Sequence, residues 1–259
     1  MKKHDYGVSM LITNDSGSDL SAKKADLLRE SSSTIKVPIL LLALKDMVSR
    51  QIPLEALMDR KQHHNTKGSG ILNWTDAKSF NFEALIETTL VYSDCLATNM
   101  LLDFIGGQKR LNEWLAGQGL MTRLDLPYLH FTGSEDYMPK VGTTSAREML
   151  SLYKQLDNQP WPKDYKDLLN RSMSNVHESW LELNLPGKLE NFKHKTGSMI
   201  NCGPMGETVY NAVGSFGHNN AKYYFCLLSR DFLNTDTDKS ENSMKQYLAT
   251  SLFGSVAGT

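Results

Sequence analysis

From Ile35 to Leu44 the chain is apolar except at Lys36 and Pro38, a run that reads as a buried helix starting close to Ser33. Proline is tolerated in the opening turn of a helix and harmful further in, so Pro38 fixes that start. Four further stretches carry apolar residues at helical spacing: Phe82 to Leu90, Asp94 to Ile105, Lys109 to Ala116 and Ser145 to Leu156. Ser145 and Glu148 have the spacing of a capping box at the head of the last one, while Gly106-Gly107 and Gly117 read as stops. Strand patterns flank this helical middle. Tyr6 to Thr13 runs into the turn chemistry of Asn14-Asp15-Ser16-Gly17, and Thr208 to Phe216 and Ala221 to Ser229 follow Lys195. A last amphipathic helix carries Met244, Tyr247, Leu248 and Leu252. The order strand, helical insert, strands, helix predicts an α/β part built from both chain ends, residues 1–30 and 190–259, with an all-α part, residues 31–189, inserted between them.

Three short strings add chemistry to this frame: Ser33-Thr34-Ile35-Lys36, Ser93-Asp94-Cys95 and Lys195-Thr196-Gly197. Ser33 and Lys36 are three apart, so on a helix they share a face, with Cβ atoms roughly 5–6 Å apart. A lysine kept partly neutral by desolvation or nearby positive charge can take the proton of a serine nucleophile. Ser-x-x-Lys alone carries little weight, because it recurs at Ser21 to Lys24 and Ser151 to Lys154. Only the copy at Ser33 opens an apolar helix; the other two sit in polar surroundings.

With these strings in this order, the chain resembles the class A serine β-lactamases and related penicillin-binding proteins, whose signature is S-x-x-K, S-D-N and K-T-G. The resemblance extends to Gly68-Ser69-Gly70-Ile71-Leu72, Tyr92-Ser93-Asp94-Cys95-Leu96-Ala97-Thr98-Asn99, Leu185-Pro186-Gly187 and Tyr210-Asn211-Ala212-Val213-Gly214, and runs from about Gly7 to the C-terminus. It implies a β-lactamase-like fold, an antiparallel sheet flanked by helices, with the active site at the junction with the inserted helical part. It also implies acyl transfer without a cofactor. Ser33 would attack an amide carbonyl, Lys36 would accept its proton, and Ser93 would relay a proton toward the departing nitrogen. Lys195 and Thr196 would hold a substrate carboxylate while Gly197 lets the strand come close, and the backbone N–H groups of Ser33 and Ser198 would meet the oxyanion. The implied partner is a small β-lactam or peptide substrate, and a monomer is expected.

Two departures from the family pattern bear on function. Cys95 stands where asparagine is usual, which removes an amide that would contact substrate and lysine. Between Arg123 and Thr144 the family's β-lactamases carry a glutamate that activates the deacylating water; here Pro127, Tyr128, Leu129 and His130 occupy that register, with Thr132 near the usual asparagine. Glu135 and Asp136 are nearby but out of register. The expectation is complete acylation machinery with incomplete deacylation machinery, Tyr128, His130 and Glu135 being candidates to activate water. A β-lactamase-like hydrolase, a penicillin-binding peptidase or acyltransferase, and a non-catalytic sensor of the same fold all fit the motifs; the intact serine and lysine set speaks against the last.

Composition narrows the picture further. The 259 residues are 40% hydrophobic, enough for a sizeable core, and the formal net charge of −1 offers no basic face for nucleic acid. Cys95, Cys202 and Cys226 form no C-x-x-C pair, and Cys226 reads as a buried strand residue. His63-His64 and His177-Glu178 lack the spacing of a metal motif and read as structural or solvated. No serine has glycine at both minus two and plus two, which removes the nucleophile elbow of α/β-hydrolases. No hydrophobic stretch is long enough to span a bilayer, and the first residues lack the apolar core of a signal peptide, so the chain as written reads as cytoplasmic, or as exported if a leader has been removed.

Overall fold

The computed structural model describes residues 7–131, 138–177, 179–185, 189–202, 207–232 and 237–254. Eleven strands and eight α-helices alternate within them. In chain order they are β1 (Ser9–Asn14), β2 (Asp19–Lys23), β3 (Arg29–Glu30), α1 (Lys36–Ser49), β4 (Leu57–Asp59), β5 (Ser79–Asn81), α2 (Phe82–Val91), α3 (Cys95–Phe104), α4 (Gly107–Ala116), β6 (Arg123–Leu124) and β7 (Gly142–Thr144). There follow α5 (Ala146–Asn158), α6 (Lys163–Ser174), α7 (Trp180–Asn184), β8 (Glu190–Cys202), β9 (Glu207–His218), β10 (Ala221–Leu228), β11 (Asp231–Phe232) and α8 (Thr237–Gly254).

The main sheet runs β8–β9–β10–β1–β2, with β11 on the first residues of β9, and every pairing is antiparallel. The two chain ends meet in it, since β1 pairs with β10. Side chains alternate between its faces, and both faces are apolar. Leu11, Val213, Tyr224, Cys226 and Leu228 join the helices in one large core, whereas Met10, Ile12, Phe225 and Leu227 pack with Trp180 and Leu181 of α7 and Leu248, Ala249 and Leu252 of α8. Tyr247, expected on the apolar face of the last helix, is 41% exposed and extends to Lys23, while the side chain of Met244 lies outside the described residues.

From Lys36 to Leu44 helix α1 is buried on all sides, which explains its nearly unbroken apolar sequence there. Its start differs from the expectation in one respect. Ser33 lies in a 3₁₀ turn, Ser32–Ile35, and the α-helix proper begins at Lys36, with Pro38 in its first turn where no intrahelical N–H bond is lost. Gly107 likewise opens α4 instead of ending α3; Gly106 and Gly107 have φ of +87° and +85°, so the pair turns the chain between two helices. At α5 the capping box is half closed. Ser145 Oγ accepts Glu148 N–H at 3.2 Å, but the Glu148 carboxylate accepts the backbone N–H groups of Met121 and Thr122 instead. Those donors are otherwise unpaired at a chain reversal, and a charged acceptor satisfies both.

Candidate active site

Asp94 assembles the site from two directions. As N-cap of α3, its Oδ1 accepts Ala97 N–H at 2.9 Å, and Oδ2 accepts Ile71 and Leu72 N–H at 2.7 and 2.8 Å. The Gly68–Leu72 turn is thereby tied to the residue that follows Ser93. Gly70, at φ +122°, has no space for a side chain, since a Cβ there would lie 2.2 Å from Asp94 Oδ2. Asp94 is fully buried, so Asp94→Ala leaves three inward N–H groups unpaired. An expected loss of about 2–5 kcal/mol follows, readable as a lower midpoint in urea unfolding; an unchanged midpoint would remove Asp94 from this role.

Ser93, at φ +54°, is bent out of α3 and presents its hydroxyl between two buried lysines. Lys36 Nζ and Lys195 Nζ each donate to Ser93 Oγ at 3.0 Å. Lys36 Nζ also donates to the Ser93 carbonyl and, at 3.5 Å, to Cys95 Sγ; Lys195 Nζ donates to the Thr196 carbonyl at 2.7 Å. With two donors on Ser93 Oγ, the proton of that hydroxyl is left for a third partner in the cavity. Both lysines are fully buried, and with each Nζ 3.0 Å from one oxygen, two unit charges there would repel by at least roughly 3 kcal/mol at an effective dielectric of about 20. Burial first, and Lys36 second, hold the Lys195 ammonium well below the usual lysine range, while Cys95 opposes them. His194, on the other face of β8, adds no charge: burial and Lys195 push its imidazole down to about 3.

Strand β8 brings Lys195, Thr196, Gly197 and Ser198 past the turn that carries Ser33, in register with Val213, Ala212, Asn211 and Tyr210 of β9. Gly197 is required by contact, because a Cβ would lie 2.7 Å from Ser33 N and 3.0 Å from Thr34 N. Thr34 itself is buried, its hydroxyl donating to the Ser31 carbonyl.

A cavity of about 370 Å³ opens here, lined by Ser33, Ser93, Thr196, Gly197 and Ser198 together with Ser69, Gly70, Ile71, Tyr92, His177 and Trp180. Lys36, Lys195 and Cys95 stand behind that wall, buried, and reach the cavity through Ser93. Ser33 and Lys36 are not hydrogen-bonded to each other; Lys36 turns to Ser93 instead. Among the residues that the sequence did not single out for the site, Trp180 carries no motif, and His177 reads as structural. Both reach the cavity because Val91 O accepts His177 N–H and Trp180 packs on Tyr210.

The candidates for activating water fall elsewhere. Tyr128 is half-buried with its hydroxyl 3.4 Å from Asp103 Oδ1, His130 is exposed, and neither lines the cavity. Phe131 is buried, with its ring and Cys95 Sγ both against Gly68. Thr132, Glu135 and Asp136 lie outside the described residues. No carboxylate lines the cavity among the described residues.

His63 and His64 do gain a third donor that their spacing could not reveal, since both rings face Asp103. The protonation pattern is wrong for a cation. His64 Nδ1 accepts Lys61 N–H at 3.0 Å, which leaves the proton of the neutral ring on the Nε2 that a metal would need. Lys61 Nζ, 2.7 Å from Asp103 Oδ2, supplies the positive charge instead.

The sequence profile of the beta-lactamase enzyme family matches residues 2–249. The chain belongs to that family. No curated protein matches its sequence. Among solved structures it is similar to a class A beta-lactamase from Bacteroides cellulosilyticus DSM 14838, at 20% identity and a TM-score of 0.80, covering 100% of this chain and 94% of that one. It is also similar to PBP-A, at 21% identity and 0.75, covering 98% and 92%, and to a class A beta-lactamase from Mycobacterium abscessus, at 18% and 0.73, covering 98% and 95%. These likenesses show the fold of the class A serine β-lactamase and penicillin-binding protein superfamily. No helix among the described residues is long and apolar enough to cross a membrane.

Proposed function

We propose that this family member is a serine hydrolase of β-lactam type that acylates readily and deacylates slowly. The observation that carries the reading is the Ser93 hydroxyl shared by Lys36 and Lys195 in the wall of a cavity that also holds Ser33. Ser33 Oγ attacks the lactam carbonyl, and its proton passes to the lysine–Ser93 chain. Collapse of the tetrahedral intermediate breaks the C–N bond, and Ser93 delivers a proton to the ring nitrogen. The oxyanion meets the N–H groups of Ser33 and Ser198, a device worth about 3–4 kcal/mol of barrier. The Thr196 hydroxyl meets the substrate carboxylate, with the charge of Lys195 behind it. Cys95 acts on this site through Lys36 and not by touching substrate.

Slow deacylation rests on the cavity wall, where no described residue supplies a carboxylate to activate water. The same feature favours one second reading, a penicillin-binding peptidase or acyltransferase whose acyl-enzyme waits for an amine; a mutant of the similar PBP-A is known as its acyl-enzyme complex with penicillin G. Intact-protein mass spectrometry over time, after mixing with a penicillin and separately with a D-Ala-D-Ala peptide, tests both. The expected result is a penicillin adduct that forms in a burst and decays slowly. Burst-free turnover without adduct would overturn slow deacylation, and a peptide adduct transferred to an added amine would favour the second reading. Tyr128→Glu is not expected to speed decay, because position 128 faces Asp103 and not the cavity.

A further inference from the structure

Beneath Ser33 lies a buried carboxyl that the reaction scheme leaves unused. Glu30 ends β3 and is 8% exposed. Its Oε1 accepts the backbone N–H groups of Ser32 at 3.1 Å, Val141 at 2.9 Å and Gly142 at 3.3 Å. Its Oε2 is buried without a hydrogen-bond partner, as are the hydroxyls of Ser31 and Ser32. The backbone closes the same knot: Ser31 N–H donates to Gly142 O, and the Asn211 amide donates to Glu30 O. One carboxyl thus joins the turn that carries Ser33 to β7. Ser32, between Glu30 and Ser33, is held at φ +47°, a conformation that a non-glycine residue keeps only when its surroundings impose it.

We propose that Glu30 is a positioning residue for Ser33 and sets the pH response of acylation. Oε1 holds the turn in either protonation state, and ionisation places a buried negative charge on the N–H of Ser32, one residue before the Ser33 N–H that must stabilise the oxyanion. The proposal rests on the reading of Ser33 as nucleophile. An ionised carboxylate with one oxygen unpaired in a buried place is costly. Burial accordingly pushes the Glu30 carboxyl up to about 7, against the pull of the three N–H donors and of Lys140. Charged groups on the surrounding elements are Arg29 on β3, Lys36 on α1, Lys140 before β7, Lys195 on β8 and Glu207 on β9, and the charge of Lys140 pulls the carboxyl down. Because the folded value lies above the ordinary 4.5, the neutral carboxyl favours the fold. Its contribution is full below pH 4.5 and is lost as pH rises through about 7.

The test compares acylation rates of the wild type and Glu30→Gln with a penicillin from about pH 5 to about pH 9, read by intact mass. Glutamine keeps an acceptor for the three N–H groups but cannot ionise, and the lysine titrations common to both proteins cancel in the ratio. The wild-type-to-Gln ratio is expected to fall about tenfold across the range, half-way near pH 7. Glu30→Ala, with no acceptor, is expected to be slower than Glu30→Gln at every pH. A flat ratio overturns the charge role, and Gln as slow as Ala overturns the positioning role. Amide shifts of Ser32, Val141 and Gly142 in the unmodified protein give a readout that needs neither a variant nor acylation. A shared step near pH 7 is expected, and its absence overturns the proposal. A shared step without any adduct on Ser33 would place the failure in the choice of nucleophile, and the positioning role would fall with it.

Discussion

Ser33→Ala is expected to abolish the penicillin adduct while leaving the fold intact. Ser33 is half-buried at the cavity wall, and among the described residues no hydrogen bond holds its hydroxyl, so truncation removes the nucleophile without leaving a buried partner unpaired. Residual turnover should come only from binding and the oxyanion donors, so the rate constant for acylation should drop by more than about a thousandfold. The measurement is the intact mass after prolonged exposure, paired with an unfolding midpoint to verify the fold. Adduct that persists in Ser33→Ala would move the nucleophile to another hydroxyl, and Ser69, Tyr92, Ser93, Thr196 and Ser198 line the same cavity.

Lys36→Ala should produce the next largest loss, and it should differ in kind from that of Lys195→Ala. Lys36 donates to both oxygens of Ser93 and stands three residues from Ser33, which suits it to proton transfer. Its removal is expected to slow acylation roughly a hundred- to ten-thousandfold even at saturating substrate. On the proposed reading a bound carboxylate favours the charged form of Lys195 behind Thr196, so Lys195→Ala is expected mainly to raise the apparent KM for carboxylated substrates, with a much smaller effect on carboxylate-free esters. Lys195, with its ammonium held well below the usual range by burial and Lys36, should regain part of that range in Lys36→Ala, because one of its two depressing causes is gone. Equal losses for both variants on both substrate types would show that the two lysines act as one unit, and the division of roles would fail.

What depends on near neighbours could be read along the chain. The apolar run after Ser33 and the cap at Ser145 are local patterns that gave helices, the strand and helix order gave a sheet built from both chain ends, and the order of three short strings gave the resemblance to the family and, through it, the candidate set Ser33, Lys36, Ser93 and Lys195. The resemblance also implied that Gly197 lets its strand come close, although only the fold shows that what approaches is the backbone of Ser33 and Thr34. The lack of a glutamate in register between Arg123 and Thr144 was legible only against the same family pattern.

Where the side chains turn follows from contacts between distant segments. Glu148 leaves its capping box because Met121 and Thr122 present two unpaired N–H groups, which a three-residue spacing cannot foretell. Tyr128 and His130 lie four and six residues beyond Leu124, yet one faces Asp103 and the other is exposed, and neither lines the cavity. Lys36 binds Ser93, 57 residues away, in preference to its helical neighbour Ser33. Glu30 was invisible as a functional residue, since its acceptor role depends on Val141 and Gly142, more than a hundred residues distant. Periodicity and capping act over a few residues and can be read along the chain. Burial, charge and hydrogen-bond satisfaction depend on which distant segments are brought into contact, and the chemistry of this site is set by those contacts.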